Sequence, residues 1–314
     1  MTVFTPGKII LSGEHAIVQG GRALAAPVRA GVRGRFTQRD TPELRIHAPP
    51  FPAACLPLAA LPDFLAAITR RHTAFLQNRL PVSAILQSPT DLLLAAAALA
   101  APRSGVDIAL DSELPFGSGL GSSAAVILTL LKGLQPSADP ETLRRLAHQG
   151  EQFQHGRSSG LDVVTCLYET LVSGQNGEFH PVSLSGPLPP FRLYHAGKPQ
   201  STTGECVALV REQHPAGHGI WAHFETTTLA MHAAVLAHDL NAFREAVRAN
   251  HALLVEIGVV PEPVQKAVHA IEAMGGAAKI CGAGSIHGPG AGTVLVSGPD
   301  SLPIPASWTP LHVL

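Results

Sequence analysis

Apolar residues follow several patterns along this chain. Residues 92–101 and 124–134 are apolar on nearly every side, which suits helices buried in a core. The first of these runs has ten residues, and a membrane span needs ~20. Residues 61–80, 90–101, 140–154, 218–238, 240–256 and 262–274 carry helical patterns. Residues 106–111 (Val-Asp-Ile-Ala-Leu-Asp) alternate and predict a half-buried strand. Strands are also predicted at 23–28, 191–195, 206–210 and 293–296. Residues 3–18 hold two short β-prone runs, with Pro6-Gly7 breaking the first and Gly13 between the two. Gly20-Gly21 reads as a hairpin turn. The proline-rich stretch 40–63 reads as an irregular or edge region. There is no internal repeat, and a second half begins near Pro181.

At 314 residues the chain has room for two domains. It is 46% apolar and only 14% charged, which excludes a disordered chain. A formal net charge of −1 without a basic stripe argues against nucleic acid as the main partner. The low charge leaves some surface apolar, as a homodimer contact would need. Cys55, Cys166, Cys206 and Cys281 are far apart, which argues against a zinc site or a disulfide framework. Scattered thiols fit a reducing cytoplasm. The N-terminus lacks the pattern of a secretory signal. Sixteen histidines are spread without metal-ligand spacing.

The clearest chemistry lies in residues 113–125, Glu-Leu-Pro-Phe-Gly-Ser-Gly-Leu-Gly-Ser-Ser-Ala-Ala. Gly117, Gly119 and Gly121 fall at every second position. Glycine tolerates positive φ and lets backbone N–H groups converge on a ligand. Ser122 and Ser123 then open the apolar run, in a helical first turn whose N–H groups lack partners. A glycine loop feeding a helix N-terminus is an anion site, and phosphate is the obvious anion. The plainer reading is a Gly/Ser turn capping a core helix, but a cap rarely needs three alternating glycines. The loop lacks the Walker pattern and the dinucleotide fingerprint.

Other polar residues stand out less. Lys8 follows Pro6-Gly7 in an apolar context, and a lone lysine at a strand edge is usually a solvated charge. Glu14-His15 is a polar pair bordered by apolar residues. Glu151 falls near the end of the 140–154 helix. Residues 155–165 form a glycine-bounded loop that delivers Asp162 into an apolar run, and such an Asp is most often an N-cap. Residues 279–285 form a second glycine loop ahead of the 293–296 strand.

Three of these segments, in this order, resemble the GHMP kinase superfamily. Residues 6–18 resemble its first motif and residues 114–125 its second, the phosphate loop. Residues 279–284 resemble the start of its third. Within the superfamily, Gly13-Glu14-His15-Ala16-Ile17-Val18 is similar to the mevalonate kinases, as are residues 151–162 and 250–259. The resemblance implies an α+β fold in two domains. Residues 1–180 would be like domain 2 of ribosomal protein S5 and residues 181–314 ferredoxin-like. It also implies an ATP- and Mg²⁺-dependent kinase acting on the terminal hydroxyl of mevalonate.

Residue by residue, the resemblance makes Asp162 the catalytic carboxylate and Lys8 its companion lysine. Pro115, Gly117, Ser118, Gly119, Leu120, Gly121, Ser122 and Ser123 would hold ATP, together with Gly282, Ala283 and Gly284. Ser123 and Glu151 would be magnesium ligands, and one or two protein oxygens suit Mg²⁺. Glu14, His15 and Thr203 would face the substrate. Two positions depart from the family: Val163 stands where Asn is usual, and Gly284 is followed by Ser285-Ile286-His287-Gly288-Pro289-Gly290 instead of further glycines. A kinase for phosphomevalonate or a sugar, or a catalytically inactive small-molecule sensor, are the alternatives.

Overall fold

The structure is a computed structural model that describes residues 1–115 and 117–313. Phe116, within the expected phosphate loop, and Leu314 lie outside the described residues. In chain order the first elements are β1 (Thr2–Ser12), β2 (Ala23–Arg39), β3 (Glu43–His47), β4 (Ala54–Pro57), α1 (Leu61–Leu76), α2 (Asp91–Ala100) and β5 (Gly105–Ser112). Then come α3 (Ser122–Leu134), α4 (Pro140–His155), α5 (Leu161–Tyr168), β6 (Leu171–Gln175), β7 (Glu178–Val182) and β8 (Arg192–His195). The remainder is α6 (Thr203–Gln213), α7 (Ile220–Leu236), α8 (Leu240–Glu256), α9 (Glu262–Ala273), β9 (Ala277–Cys281), β10 (Thr293–Ser297) and β11 (Thr309–Leu311). No helix among the described residues is long and apolar enough to cross a membrane.

The chain divides into two compact units. The first comprises residues 1–7, 30–114 and 121–169; the second comprises 8–29, 115–120 and 170–314. A single cut near residue 180 does not coincide with this division, because residues 8–29 and 115–120 pack with the later part of the chain.

In the first unit, β5 is flanked by β2, antiparallel, and β3, parallel; β4 pairs antiparallel with β3 at the edge. The proline-rich stretch therefore holds an edge hairpin. The helices pack on one another, with α3 against α2, α4 and α5. Residues 93–100 of α2 are all buried, as a helix without a polar face requires. α4 begins at Asp139, whose carboxylate accepts from Thr142 N at 2.9 Å, with Pro140 in the first turn.

In the second unit, β11, β8, β10 and β9 form an antiparallel sheet in that order. Helices α8 and α9 pack against β9, and α7 packs on α8. Phe224, Leu254, Ile257, Val264, Val268, Ile271, Ile280, Val294 and Trp308 share this unit's core. The first residues of β2 pair with β6, and β6 with β7.

Three local expectations are corrected. Residues 206–210 are helix, within α6, and not strand. Thr202 and Glu205 form a reciprocal capping box there, and its two satisfied backbone donors outweigh the β-prone Cys-Val-Ala-Leu-Val run. β1 runs through Pro6-Gly7 without a break. Ile17 and Val18 lie in a 3-10 turn (Ala16–Gln19) instead of a second strand, and Gly20, at φ +82°, closes that turn.

Candidate functional site

In the second unit three distant segments interlock. Lys8, at the heart of β1, is 2% exposed, so the solvated-charge reading is overturned. Its Nζ donates to the Gly119 carbonyl at 3.1 Å, and its backbone N–H donates to the Leu120 carbonyl at 2.9 Å. A Cβ on Gly119 would lie 2.9 Å from the Cys281 carbonyl oxygen, and one on Gly282 would lie 3.7 Å from Gly119 Cα. The second and third glycine segments thus touch backbone to backbone, an approach that only glycine permits. Thr293 Oγ1 donates to the Ser118 carbonyl at 2.6 Å, and Ser118 Oγ to the Pro115 carbonyl at 2.7 Å. Leu120 is fully buried. Side chains of Ser118 and Leu120 therefore build the loop, and its N–H groups are the parts suited to a ligand.

The loop backbone has the form expected of an anion cradle. Gly117, Gly119 and Gly121 have φ of +68°, +81° and +71°. Gly121 is the N-cap of α3, in the left-handed region and with no side-chain cap, so the first N–H groups of α3 receive no side-chain cap from it. Gly284, at φ +72°, is equally constrained: a Cβ would fall 2.1 Å from the Val259 carbonyl oxygen.

Glu14 and His15 follow β1. Glu14 pairs with Lys279 of β9, the two side chains being 1% and 0% exposed. The Lys279 ammonium also donates to the Ile10 carbonyl at 3.2 Å. His15 Nε2 lies 3.0 Å from the Ala283 carbonyl, which only accepts, so this nitrogen carries the proton. Burial pushes the His15 pKa down to about 4, against the raising effect of that carbonyl. His15 is thus a neutral donor tying the first motif to the third. Thr203 is exposed at the start of α6 and makes no side-chain hydrogen bond among the described residues. Nothing in the hydrogen bonding links it to Glu14 or His15.

Lys279 and His251 lie inside the 279–284 and 250–259 segments that carry the resemblance, yet neither is among the expected site residues. A single lysine inside Ala277-Ala278-Lys279-Ile280-Cys281 was the available signal, since a charge in an otherwise apolar strand needs a buried partner. His251, on α8, is pushed down to about 4 by burial and by the Lys279 charge. Burial raises the Cys281 thiol to about 11, which leaves it protonated and unreactive.

The first unit holds the remaining candidates. Ser123 lies in the first turn of α3 and Glu151 near the end of α4, its side chain 2% exposed. His155 Nε2 lies between them, 3.4 Å from Ser123 Oγ and 3.6 Å from Glu151 Oε2. A hydroxyl and a buried carboxylate are hard oxygen donors, the set that Mg²⁺ takes beside phosphate. Asp162 is half-buried in the first turn of α5. Gly160, at φ +88°, occupies the N-cap position, so the N-cap reading of Asp162 is overturned.

Comparison with known proteins finds one family over both halves of the chain. The family model for the GHMP kinases N terminal domain matches residues 90–170, and that for the GHMP kinases C terminal matches residues 231–287. The chain is 29% identical over 292 residues to the mevalonate kinase of Archaeoglobus fulgidus, covering 90% of this chain and 89% of that one. It is 27% identical over 300 residues to the mevalonate kinase of Pyrococcus horikoshii, covering 89% and 84%. Its fold resembles the crystal structure of the Methanococcus jannaschii mevalonate kinase, with a TM-score of 0.76 at 21% identity, covering 95% of this chain and 90% of that one. With both family models matched in chain order and a two-domain α+β structure to match, the chain belongs to the GHMP kinases.

Proposed function

We propose that this kinase transfers the γ-phosphoryl group of ATP to the terminal hydroxyl of mevalonate. The observation that carries the reading is the glycine loop at Gly117, Gly119 and Gly121, whose three positive φ angles run into the α3 N-terminus. It is supported by mevalonate kinases similar over nine-tenths of the chain. The N–H groups of this loop, with those of the first turn of α3 at Ser122 and Ser123, donate to the phosphate oxygens. Gly282, Ala283 and Gly284 complete the cradle, and Pro115, Ser118 and Leu120 hold its shape.

Ser123 and Glu151 would hold Mg²⁺, which when bound neutralises phosphate charge. Asp162 accepts the proton of the attacking hydroxyl as its oxygen bonds to the γ-phosphorus and the bond to ADP breaks. Lys8 supplies positive charge where negative charge develops. Glu14, His15 and Thr203 shape the alcohol side; the His15 Nε2 proton is engaged by the Ala283 carbonyl, which leaves Nδ1 as an acceptor. Free cysteines scattered through the chain support a reducing cytoplasm as its setting.

The test is an ADP-release assay with mevalonate, phosphomevalonate and galactose as acceptors, run on the wild type, Asp162→Asn and Lys8→Met. Mevalonate should give the highest kcat/KM. Asp162→Asn should lose at least ~10² in kcat with ATP affinity kept. Turnover of phosphomevalonate or galactose in preference to mevalonate would replace the substrate, and a fully active Asp162→Asn would remove the mechanism.

A further inference from the structure

The five residues between α4 and α5 carry no regular structure, yet they determine where Asp162 stands. Their shape is held by two histidines from outside the loop. His72, on α1, is 9% exposed, and its Nε2 lies 2.8 Å from the Gly156 carbonyl. His148, on α4, is half-buried, and its Nε2 lies 3.0 Å from the Ser158 carbonyl. A carbonyl only accepts, so each imidazole must carry its proton on Nε2 and donate.

The His72 ring is itself fixed. It stacks on Phe75 at 6.2 Å and meets Phe153 edge-on at 5.7 Å between ring centroids. Phe75 also closes against the loop, since a Cβ on Gly156 would lie 2.5 Å from its ring. Beyond the two anchored carbonyls, Ser158 Oγ accepts from Gly160 N at 3.2 Å and Ser159 Oγ from Leu161 N at 3.3 Å. Gly160 then starts α5. Four residues of chain lead from Gly156, and two from Ser158, to the turn that bears the carboxylate.

We propose that His72 and His148 are positioning residues for Asp162: their two imidazole-to-carbonyl hydrogen bonds set the loop from Gly156 to Gly160 and thereby the first turn of α5. This rests on the reading of Asp162 as the proton acceptor. Neither histidine is itself a catalytic residue. A carboxylate that must meet one hydroxyl proton is sensitive to small displacements, and a misplacement of ~1 Å can cost ~10²-fold in rate.

The experiment compares His72→Phe, which keeps the ring between Phe75 and Phe153 but removes the donor, with His148→Leu and His148→Gln. The Gln side chain keeps an N–H donor. Asp162→Asn is measured beside them. Mevalonate and ATP are the substrates, nucleotide binding is followed by calorimetry, and hydrogen exchange is read over residues 156–162. The expected result is a fall in kcat of about tenfold for His72→Phe and His148→Leu, within the range that small misplacement produces. KM for both substrates and the ATP Kd should stay within about twofold, because nothing in this loop is asked to bind them. Exchange over 156–162 should quicken, and His148→Gln should recover most of the rate. Unchanged kcat in a folded His148→Leu overturns the inference whether or not His72→Phe folds. Equal loss in His148→Leu and His148→Gln also overturns it, since the donor would then not matter. Asp162→Asn separates the two failures: if it stays active, the reading of Asp162 falls, and if it alone is inactive, only the positioning role falls.

Discussion

Lys279 and Glu14 form an ion pair closed off from water, and the lysine also bonds the Ile10 carbonyl. Two residues 265 positions apart in the chain are thereby joined in one unit. Removing one partner strands the other as a buried charge, which costs more than the intact pair contributes. Lys279→Met should lower the unfolding free energy by about 3–5 kcal/mol. Adding Glu14→Leu to it should recover part of that loss. Chemical denaturation of the single and double variants checks this, and a double variant less stable than Lys279→Met would show that the residual charge is not the cause.

Stability should fall as the solution is acidified through the range of two histidines. His15 and His251 each stand at about 4 in the folded chain, against 6.5 ordinarily. Between those values the unfolded state binds more protons, so their contribution is complete above pH 6.5 and is lost as pH falls toward 4. The loss is on the order of 3 kcal/mol for each histidine. His251→Gln should make the decline shallower over that window. Urea midpoints at several pH values measure it, and an unchanged slope in a folded variant would remove His251 from the account.

Gly119 offers the sharpest test of the phosphate loop. Its φ of +81° strains any side chain, and the Cys281 carbonyl oxygen, 2.9 Å from an added Cβ, is backbone and cannot swing away. Gly119→Ala should weaken ATP binding by about tenfold, the loss of roughly one charge-assisted hydrogen bond. Calorimetry on the folded variant reads this directly. Unchanged affinity would mean that the loop does not hold the nucleotide.

Glu151→Gln keeps shape and removes charge at a buried position one turn before His155. It should raise the magnesium concentration needed for half-maximal rate more than it raises the KM for mevalonate, since carboxylate charge serves the cation. Mg²⁺ titrations of the rate and of ATP binding decide it. Curves that superpose on the wild type would make Glu151 only a structural partner of His155.

The strong local patterns are legible from the order of residues alone. The apolar runs placed α2 and α3, and α4 to α5 were marked by the proline and glycines around them. Every second residue being glycine in 117–121 announced a loop with positive φ, because only glycine adopts it without strain. Local reading failed where two short-range preferences competed. Residues 206–210 look β-prone, yet Thr202 and Glu205 start a helix by satisfying its first donors.

Which charges are buried, and what they face, follows from contacts made in the folded chain. Lys8 reads as a solvated strand-edge lysine, and it is buried because Gly119 and Leu120 return to it from far along the chain. Lys279 opens the 279–284 segment without any sign of its partner, and Glu14 is its counter-ion only because the end of β1 meets β9. Asp162 looked like an N-cap until Gly160 took that position in a left-handed turn. Burial and hydrogen-bond partnership depend on contacts between residues distant in the chain, and no local pattern encodes them.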